Sequence, residues 1–394
     1  MVNKVLMYFF VLAVLLFNTI RNESFKRQCF NKTAYWLEFL LLFLLSGLRY
    51  RIGLDSTVSY AEAFLYYPTH IKDIFHYDYE SDPGWVLLNV FCKGIINDFV
   101  LVQLVQSCFV NGVIFWFVRK YSPRPFLTIL LYFLTFWLQV NYEALREGVA
   151  VGFYLIALDA IFSGKSYWIY YIRVWPALLF HSFGFLTLFW PVIGLIQPNK
   201  KFIYLIIPMV AVVSLCLGSQ LGETLLPYVM SMDGDTALRL ATYFQSDVYG
   251  VNNWSINGII SMVGGTIIPI IWCMKVLLGG ENLQISKQYF PFLVMALVIS
   301  LLMFNMPIFV RLKNYFYIPL LIAMSYCLDS RYLKMHVVSL SKLVISVFVL
   351  AVFLGLHSND GESGVPAMYR YYPYNSIITK NYNVLTERIF SFYQ

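Results

Sequence analysis

Charge is what this sequence has least of. Asp, Glu, Lys and Arg make up 12% of its 394 residues, against about 25% in a soluble globular chain, and that shortage excludes a soluble fold. Cysteine is also scarce. The six, at Cys29, Cys92, Cys108, Cys216, Cys273 and Cys327, fall almost entirely inside apolar runs with no CxxC among them, which excludes a disulfide framework and a zinc site. No HExxH, GxSxG or P-loop is present, so zinc proteolysis, serine-nucleophile chemistry and ATP hydrolysis lack their parts. No internal repeat or low-complexity tract stands out, which argues against inverted-repeat transporter folds. Two acidic patterns, Asp78-Glu80-Asp82 and Asp233-Asp235, are too ordinary to carry a divalent site. No metal or other cofactor is expected.

What is abundant is apolar surface: 59% hydrophobic and 19% aromatic residues. Runs of about 15 to 20 apolar residues recur, each at or near the length that crosses a hydrocarbon core. The expectation is an all-α polytopic integral membrane protein, one membrane domain over 1–394. It has about twelve spans: 2–20, 34–48, 97–118, 125–141, 147–163, 166–180, 182–197, 202–219, 256–274, 289–305, 314–328 and 341–357. The stretch GWVLLNVFCKGIIND before the third span, interrupted by Lys93 and Asp98, reads as re-entrant or interfacial. The first run lacks an A-x-A cleavage pattern and is followed by RNESFKR, which suits a retained helix.

The net charge of +7 does not point to nucleic acid, because of where the charge lies. Fifteen of the 28 basic residues, among them Lys26, Arg27, Arg119, Lys120, Lys200 and Lys201, gather in short alternate loops, which the positive-inside rule makes cytoplasmic. Both termini then lie outside, as do three long segments, about 49–96, 220–255 and 358–394, rich in tyrosine and mixed in charge. Long loops above a helical scaffold are where function tends to sit.

A set of charges falls at the outer boundary of the spans: Arg49, Arg51 and Asp55 after the second, Glu143, Arg146 and Glu147 between two helix ends, and His181 at a hairpin tip. Arg239, Arg311, Lys313 and Arg370 fall at the same depth. Arginine's planar fork binds phosphate oxygens bidentately and stays charged when partly desolvated. Several arginines against apolar surface cost free energy unless an anion compensates them. An amphiphile with a phosphate headgroup supplies that anion at this height, and Arg49, Arg51, Arg146, Arg239 and Arg311 are the candidate ligands. Imidazole serves as a proton acceptor near neutral pH, which makes His181 a candidate. Arg173, inside a span, is expected to snorkel toward the cytoplasmic boundary in a structural role.

GLRYRIGLDSTVSY, SDPGWVLLNVF and NYEALREGVAVGFYLIALDAIFSGKSYWIYYIRVWPALLFHSFGF resemble the EpsG-like branch of the Wzy exopolysaccharide and O-antigen polymerases. That family places an arginine and a G-x-D sequence after an early span, an Arg-Gln-x-x-A-type helix start later, and a histidine at the next hairpin tip. Here Glu147 stands where glutamine is common. FVRLKNYF and the tyrosine-proline tail resemble later segments; the likeness is close over about 40–190 and looser beyond.

The resemblance implies a GT-C-like glycosyltransferase of the bacterial cytoplasmic membrane, active on its periplasmic or extracellular side. It would join undecaprenyl-diphosphate-linked oligosaccharide units, with lipid-linked donor and acceptor, membrane lipids and a chain-length regulator as partners. An anomeric carbon activated by diphosphate needs no nucleotide and no cofactor. On this reading the five arginines bind diphosphate, while Asp55 and His181, followed by Glu147, are candidates for accepting the acceptor hydroxyl's proton. Tyr60, Trp85 and Tyr243 are candidates for stacking on sugar faces. Two other classes share these residues. A lipid-linked glycan ligase or other GT-C-like enzyme would transfer once. A polyprenyl-glycan transporter or flippase would place ionisable residues along a mid-membrane path, for which Glu38, Asp159 and Arg173 are the candidates; most charge instead crowds one mouth.

Overall fold

The computed structural model of the chain describes residues 2–23, 30–76, 81–199, 208–209, 212, 227–228, 260, 263–279, 283–303, 310–329, 333–356, 367–371 and 374–379. These are almost wholly helical, and among them the β pairing is an isolated antiparallel bridge between Arg49 and Ser376. Among the described residues, three helices are long and apolar enough to cross a membrane by length and composition: Phe99–Tyr121, Gln284–Leu302 and Met335–Gly355. Shorter apolar helices cover Pro125–Thr135, Ser182–Ile193 and Val263–Gly279. The chain divides into two compact units, Met1–Leu188 with Val365–Gln394, and Phe189–Gly364.

The first unit contains α1 (Val2–Glu23), α2 (Lys32–Gly47), a π-helical turn Asp55–Tyr60 running into α3 (Ala61–Tyr66), and a 3-10 turn Ile71–His76. It continues with α4 (Pro83–Ile95), α5 (Phe99–Tyr121), α6 (Pro125–Thr135), a π-helical turn Gln139–Glu143, α7 (Leu145–Phe162) and α8 (Tyr167–Phe180). Helix starts are set by local chemistry: Asn31, Asp98 and Ser166 accept the N–H groups of Ala34, Val100 and Trp168 from the N-cap position, as short polar side chains do there. α6 is capped from a distance, its Phe126 and Leu127 amides donating to the Glu23 carboxylate of α1 at 2.8 and 3.1 Å. At the C-terminal end of α3, the Lys93 ammonium of α4 donates to the carbonyls of Phe64, Leu65 and Tyr67, around a helix terminus whose last carbonyls lack a full set of intrahelical donors.

Most expected spans of this unit coincide with helices within a few residues. The run 125–141 does not stay regular: α6 stops at Thr135, and the chain continues through a short helical stretch into the π turn. Buried amides hold that break. Asn111 donates to Asn141 at 2.8 Å, and Asn141 donates to Tyr132 and to the Trp137 carbonyl at 3.0 and 2.9 Å. Tyr132 closes the ring on Asn111 at 3.1 Å. The run 182–197 is likewise not one α-helix; it begins as a 3-10 helix, Ser182–Phe189, followed by α9 (Trp190–Ile193). Gly184 lies so close to α8 that a Cβ there would be 2.9 Å from the Ala177 carbonyl.

The second unit contains α9, a π turn Val263–Ile267, α10 (Ile268–Gly279), α11 (Leu283–Leu302), α12 (Val310–Cys327) and α13 (Met335–Leu356). α10 packs on α11, α11 on α12, and the π turn on α13. Trp190 stacks on Phe292 at 3.7 Å between centroids. The expected span 202–219 lies largely outside the described residues.

At the end of the first unit opposite Arg49, Asp159 of α7 binds both Lys120 and Arg173, the latter at 3.2 Å, and accepts from Tyr121 at 2.7 Å. Arg173 therefore shares the Asp159 carboxylate with Lys120. Asp159→Ala would leave two cations facing one another without their shared anion. The expected loss is about 1–3 kcal/mol of unfolding free energy, read by thermal unfolding in detergent, with Lys120→Met/Asp159→Leu together costing less than the single change.

Candidate functional site

α2 ends in a tight turn whose shape is dictated by two residues. Arg51 has φ 51° and Gly53 φ 88°, the left-handed region that only glycine enters without steric cost. A Cβ on Gly53 would lie 2.5 Å from the Tyr142 carbonyl, so the glycine also permits close approach to the π turn. That approach brings Glu143 beneath the start of the next helix, where its carboxylate accepts the N–H groups of Leu54 and Asp55 at 3.2 and 3.0 Å. An anion at a helix N-terminus completes open donors and meets a positive dipole end. Burial, and then the nearby Asp55, push the Glu143 carboxyl up from 4.5 to about 7.

The turn is held on its other side by the C-terminal segment. Tyr50 N–H donates to the Asn375 carbonyl at 2.9 Å, Ile377 N–H to Leu48 at 2.9 Å, and Gly53 N–H to Arg370 at 3.2 Å.

Arg49 sits between these supports and is 0% exposed. Its guanidinium donates to the Ser46 carbonyl and, at 2.9 Å, to the Ser56 hydroxyl, and lies 4.9 Å from the centre of the Tyr142 ring. Nε has no hydrogen-bond partner, and among the described residues no carboxylate lies within ion-pairing distance of Arg49. Burial pulls its pKa down from 12.5 to about 10, Tyr142 and Glu143 opposing the fall. Arg49 lines a cavity of about 470 Å³ whose lining also includes Arg51, the acidic Glu62 and Asp98, Ser56 and Gln103, and the apolar Phe64 and Phe99. The lining mixes cationic, acidic, hydrogen-bonding and apolar side chains, and Arg51 is exposed.

The remaining expected residues are distributed differently. Arg146 of α7 pairs with Asp82 at 2.7 Å and lies over the Tyr60 ring at 5.6 Å, so its charge already has an internal partner. Asp82 is the N-cap of α4, and the Gly84 that follows packs so tightly on α8 that a Cβ would be 2.8 Å from the Leu179 carbonyl. This contact brings His181, the buried C-cap of α8, to the same end of the unit. Glu147 is buried in the first turn of α7. Tyr60 is half-buried against Trp85, ring centres 5.2 Å apart. Trp85 is 0% exposed inside the core with Phe64, Val90 and Leu145, a position that offers no face to a sugar. Arg311 and Lys313 belong to α12 in the second unit, where Lys313 donates to the Thr266 hydroxyl at 3.3 Å. Arg239 and Tyr243, like Asp78, Glu80, Asp233 and Asp235, lie outside the described residues.

The cluster thus brings Arg49, Arg51 and Asp55 together, and adds partners that the sequence did not single out: Tyr142, Ser56, Gln103 and the carbonyl-bearing tail. Glu143 was visible as a charge at this depth, but its capping of a helix start 88 positions away leaves no local pattern.

Residues 32–376 match the EpsG family. The match runs from the first turn of α2 to the tail residue that bridges Arg49, well past the region of close likeness in the sequence. No curated protein and no solved structure matches the chain.

Gly53→Ala should destabilise the unit by about 2 kcal/mol or more, since it meets both the left-handed φ and the Tyr142 carbonyl; an unchanged melting temperature would contradict the turn described. Glu143 titrates at about 7 folded and near its ordinary 4.5 unfolded. Its contribution to stability is therefore full below about pH 4.5 and is lost as pH rises to about 7. Glu143→Gln lacks that loss, so its melting temperature should gain on the wild type across this window and run parallel to it above. A difference constant from pH 4.5 to 7 would show that Glu143 does not titrate as a buried group.

Proposed function

We propose a function from one premise: the chain belongs to the EpsG family, a family of polysaccharide-polymerase-like membrane proteins. From that premise we propose that it polymerises oligosaccharide repeat units carried on undecaprenyl diphosphate, at the outer leaflet of a bacterial cytoplasmic membrane. The observation that carries this reading is Arg49. A fully buried guanidinium with no carboxylate in ion-pairing distance among the described residues, on a cavity shared with Arg51, supports an anionic ligand there, with Glu62 and Asp98 also in the lining. The apolar residues in that lining, Phe64, Leu65, Phe99 and Val100, suit a ligand that carries a lipid chain.

In the proposed step the acceptor hydroxyl oxygen attacks the donor's anomeric carbon. The bond from that carbon to the diphosphate oxygen breaks, and its electron pair leaves with the diphosphate. The hydroxyl proton passes to a base. Negative charge grows on the departing diphosphate, where pre-placed donors stabilise the transition state more than the ground state. Arg49 and Arg51 supply those donors, with the Ser56 and Thr57 hydroxyls beside them. Asp55 adjoins these cavity residues and is half-buried, which favours it as the base over the fully buried His181 and Glu147. Arg146 serves in this scheme through its pair with Asp82, fixing the start of α4. Arg239 and Arg311 remain proposed contacts to the diphosphate, and Tyr60 and Tyr243 proposed contacts to sugar.

The test is polymerisation by purified protein of cognate lipid-linked repeat units, resolved by glycan length. Wild type should give a ladder. Arg49→Lys keeps the charge but loses the fork, and should lower the rate by about 10²–10³. Arg51→Ala, at an exposed position, should fold normally and raise KM. A single-transfer product would favour a ligase, and full activity in both variants would remove the cavity from the reaction.

A further inference from the structure

Two stretches of the C-terminal segment, 367–371 and 374–379, are threaded into the support of Arg49. The carbonyls at the end of α2 lack intrahelical donors, and the tail answers one of them: the Tyr374 hydroxyl donates to the Leu45 carbonyl at 3.0 Å. The next carbonyl, Ser46, takes the Arg49 guanidinium itself, at the helix end whose dipole favours a cation. The Tyr142 ring beneath the guanidinium is stacked on Tyr371, centres 5.9 Å apart at 28°. Tyr8 ties the group together, its hydroxyl 3.4 Å from both the Tyr142 hydroxyl and the Tyr371 carbonyl, its ring edge-on to Tyr374 at 5.8 Å. Outside these side chains, the backbone bonds from Leu48, Tyr50 and Gly53 to Ile377, Asn375 and Arg370 hold the turn at both ends.

The cavity-lining residues Arg49, Tyr50 and Arg51 therefore belong to the same stretch of chain that the tail bonds to. We propose that the C-terminal segment is a working part of the anion site: Tyr374, through the Leu45 carbonyl, and Tyr371, through the Tyr142 ring, are positioning residues that act on substrate through Arg49. An anion held by Arg49 and tail docking then reinforce each other, each raising the equilibrium constant of the other by one common factor. This rests on reading the cavity as the diphosphate site.

The experiment uses the full chain in nanodiscs, with farnesyl diphosphate as the probe. Hydrogen exchange follows the amides of 48–54 and 374–379, and calorimetry gives affinity. The variants are Tyr374→Phe, Tyr374→Ala, Arg49→Lys and the double change. Tyr374→Ala should deprotect 48–54 while leaving α5 and α7 as protected as in the wild type, and should weaken binding about tenfold. Tyr374→Phe, which keeps the ring and loses one hydrogen bond, should weaken it less. The double variant should bind no worse than Arg49→Lys alone, because both changes act at one group. The probe should in turn slow exchange at 374–379. Wild-type affinity in Tyr374→Ala, or additive losses in the double variant, would overturn the proposal. If wild type does not bind the probe, or Arg49→Lys binds it equally well, the diphosphate reading falls instead. Exchange then decides alone: deprotection of 48–54 in Tyr374→Ala upholds the tail's hold on Arg49, and unchanged protection removes it.

Discussion

A buried guanidinium must be answered by acceptors, by a ring or by an anion, and the architecture around position 49 is organised by that demand. Every group within reach supplies part of the answer: a helix-end carbonyl, the Ser56 hydroxyl and the Tyr142 face. Among the described residues, none is a carboxylate in ion-pairing distance. One acidic neighbour, Glu143, accepts from backbone amides instead. Its negative charge is near enough to favour the arginine's charged form, yet it leaves the guanidinium unneutralised. That division distinguishes the surroundings of Arg49 from an internal ion pair such as Arg146 with Asp82.

Two glutamates do the same job at opposite ends of the first unit. Glu23 accepts two amides at the start of α6, and Glu143 accepts two ahead of α3. Each lets a helix begin without a local cap, and each fixes where a distant helix starts. Between them the Asn111–Asn141–Tyr132 ring secures the π turn that carries Tyr142 and Glu143. Interruptions of this kind are tolerated at membrane depth when neighbouring side chains satisfy the freed groups, and π-helical turns gather at functional sites.

Hydropathy was enough to mark α1, α2, α5, α7 and α8, because a long apolar run leaves the backbone few alternatives to a helix. It could not show the break after Thr135, whose residues are as apolar as those before it, nor the 3-10 path from Ser182 to Phe189. Arg49, Arg51 and Asp55 were legible as charges stranded at a span's end. Arg146 looked equivalent in sequence, and only the fold shows that Asp82, 64 positions away, already pairs with it. Trp85 reads as a platform for sugar by residue type alone, and as core once α4 is seen packed over α5 and α8. What sequence withholds in each case is a long-range partner.

The tail contacts also set an order of events during synthesis. Tyr374 reaches the Leu45 carbonyl across 329 positions, and Tyr8 reaches Tyr371 across 363. Such separations are the slowest contacts for a chain to make, and here they cannot form until the ribosome has passed the segment they depend on. α2 and its arginine are in place long before that. Through most of translation the Arg49 turn therefore stands without its second wall, and the completed pocket belongs only to chains read through to the tail.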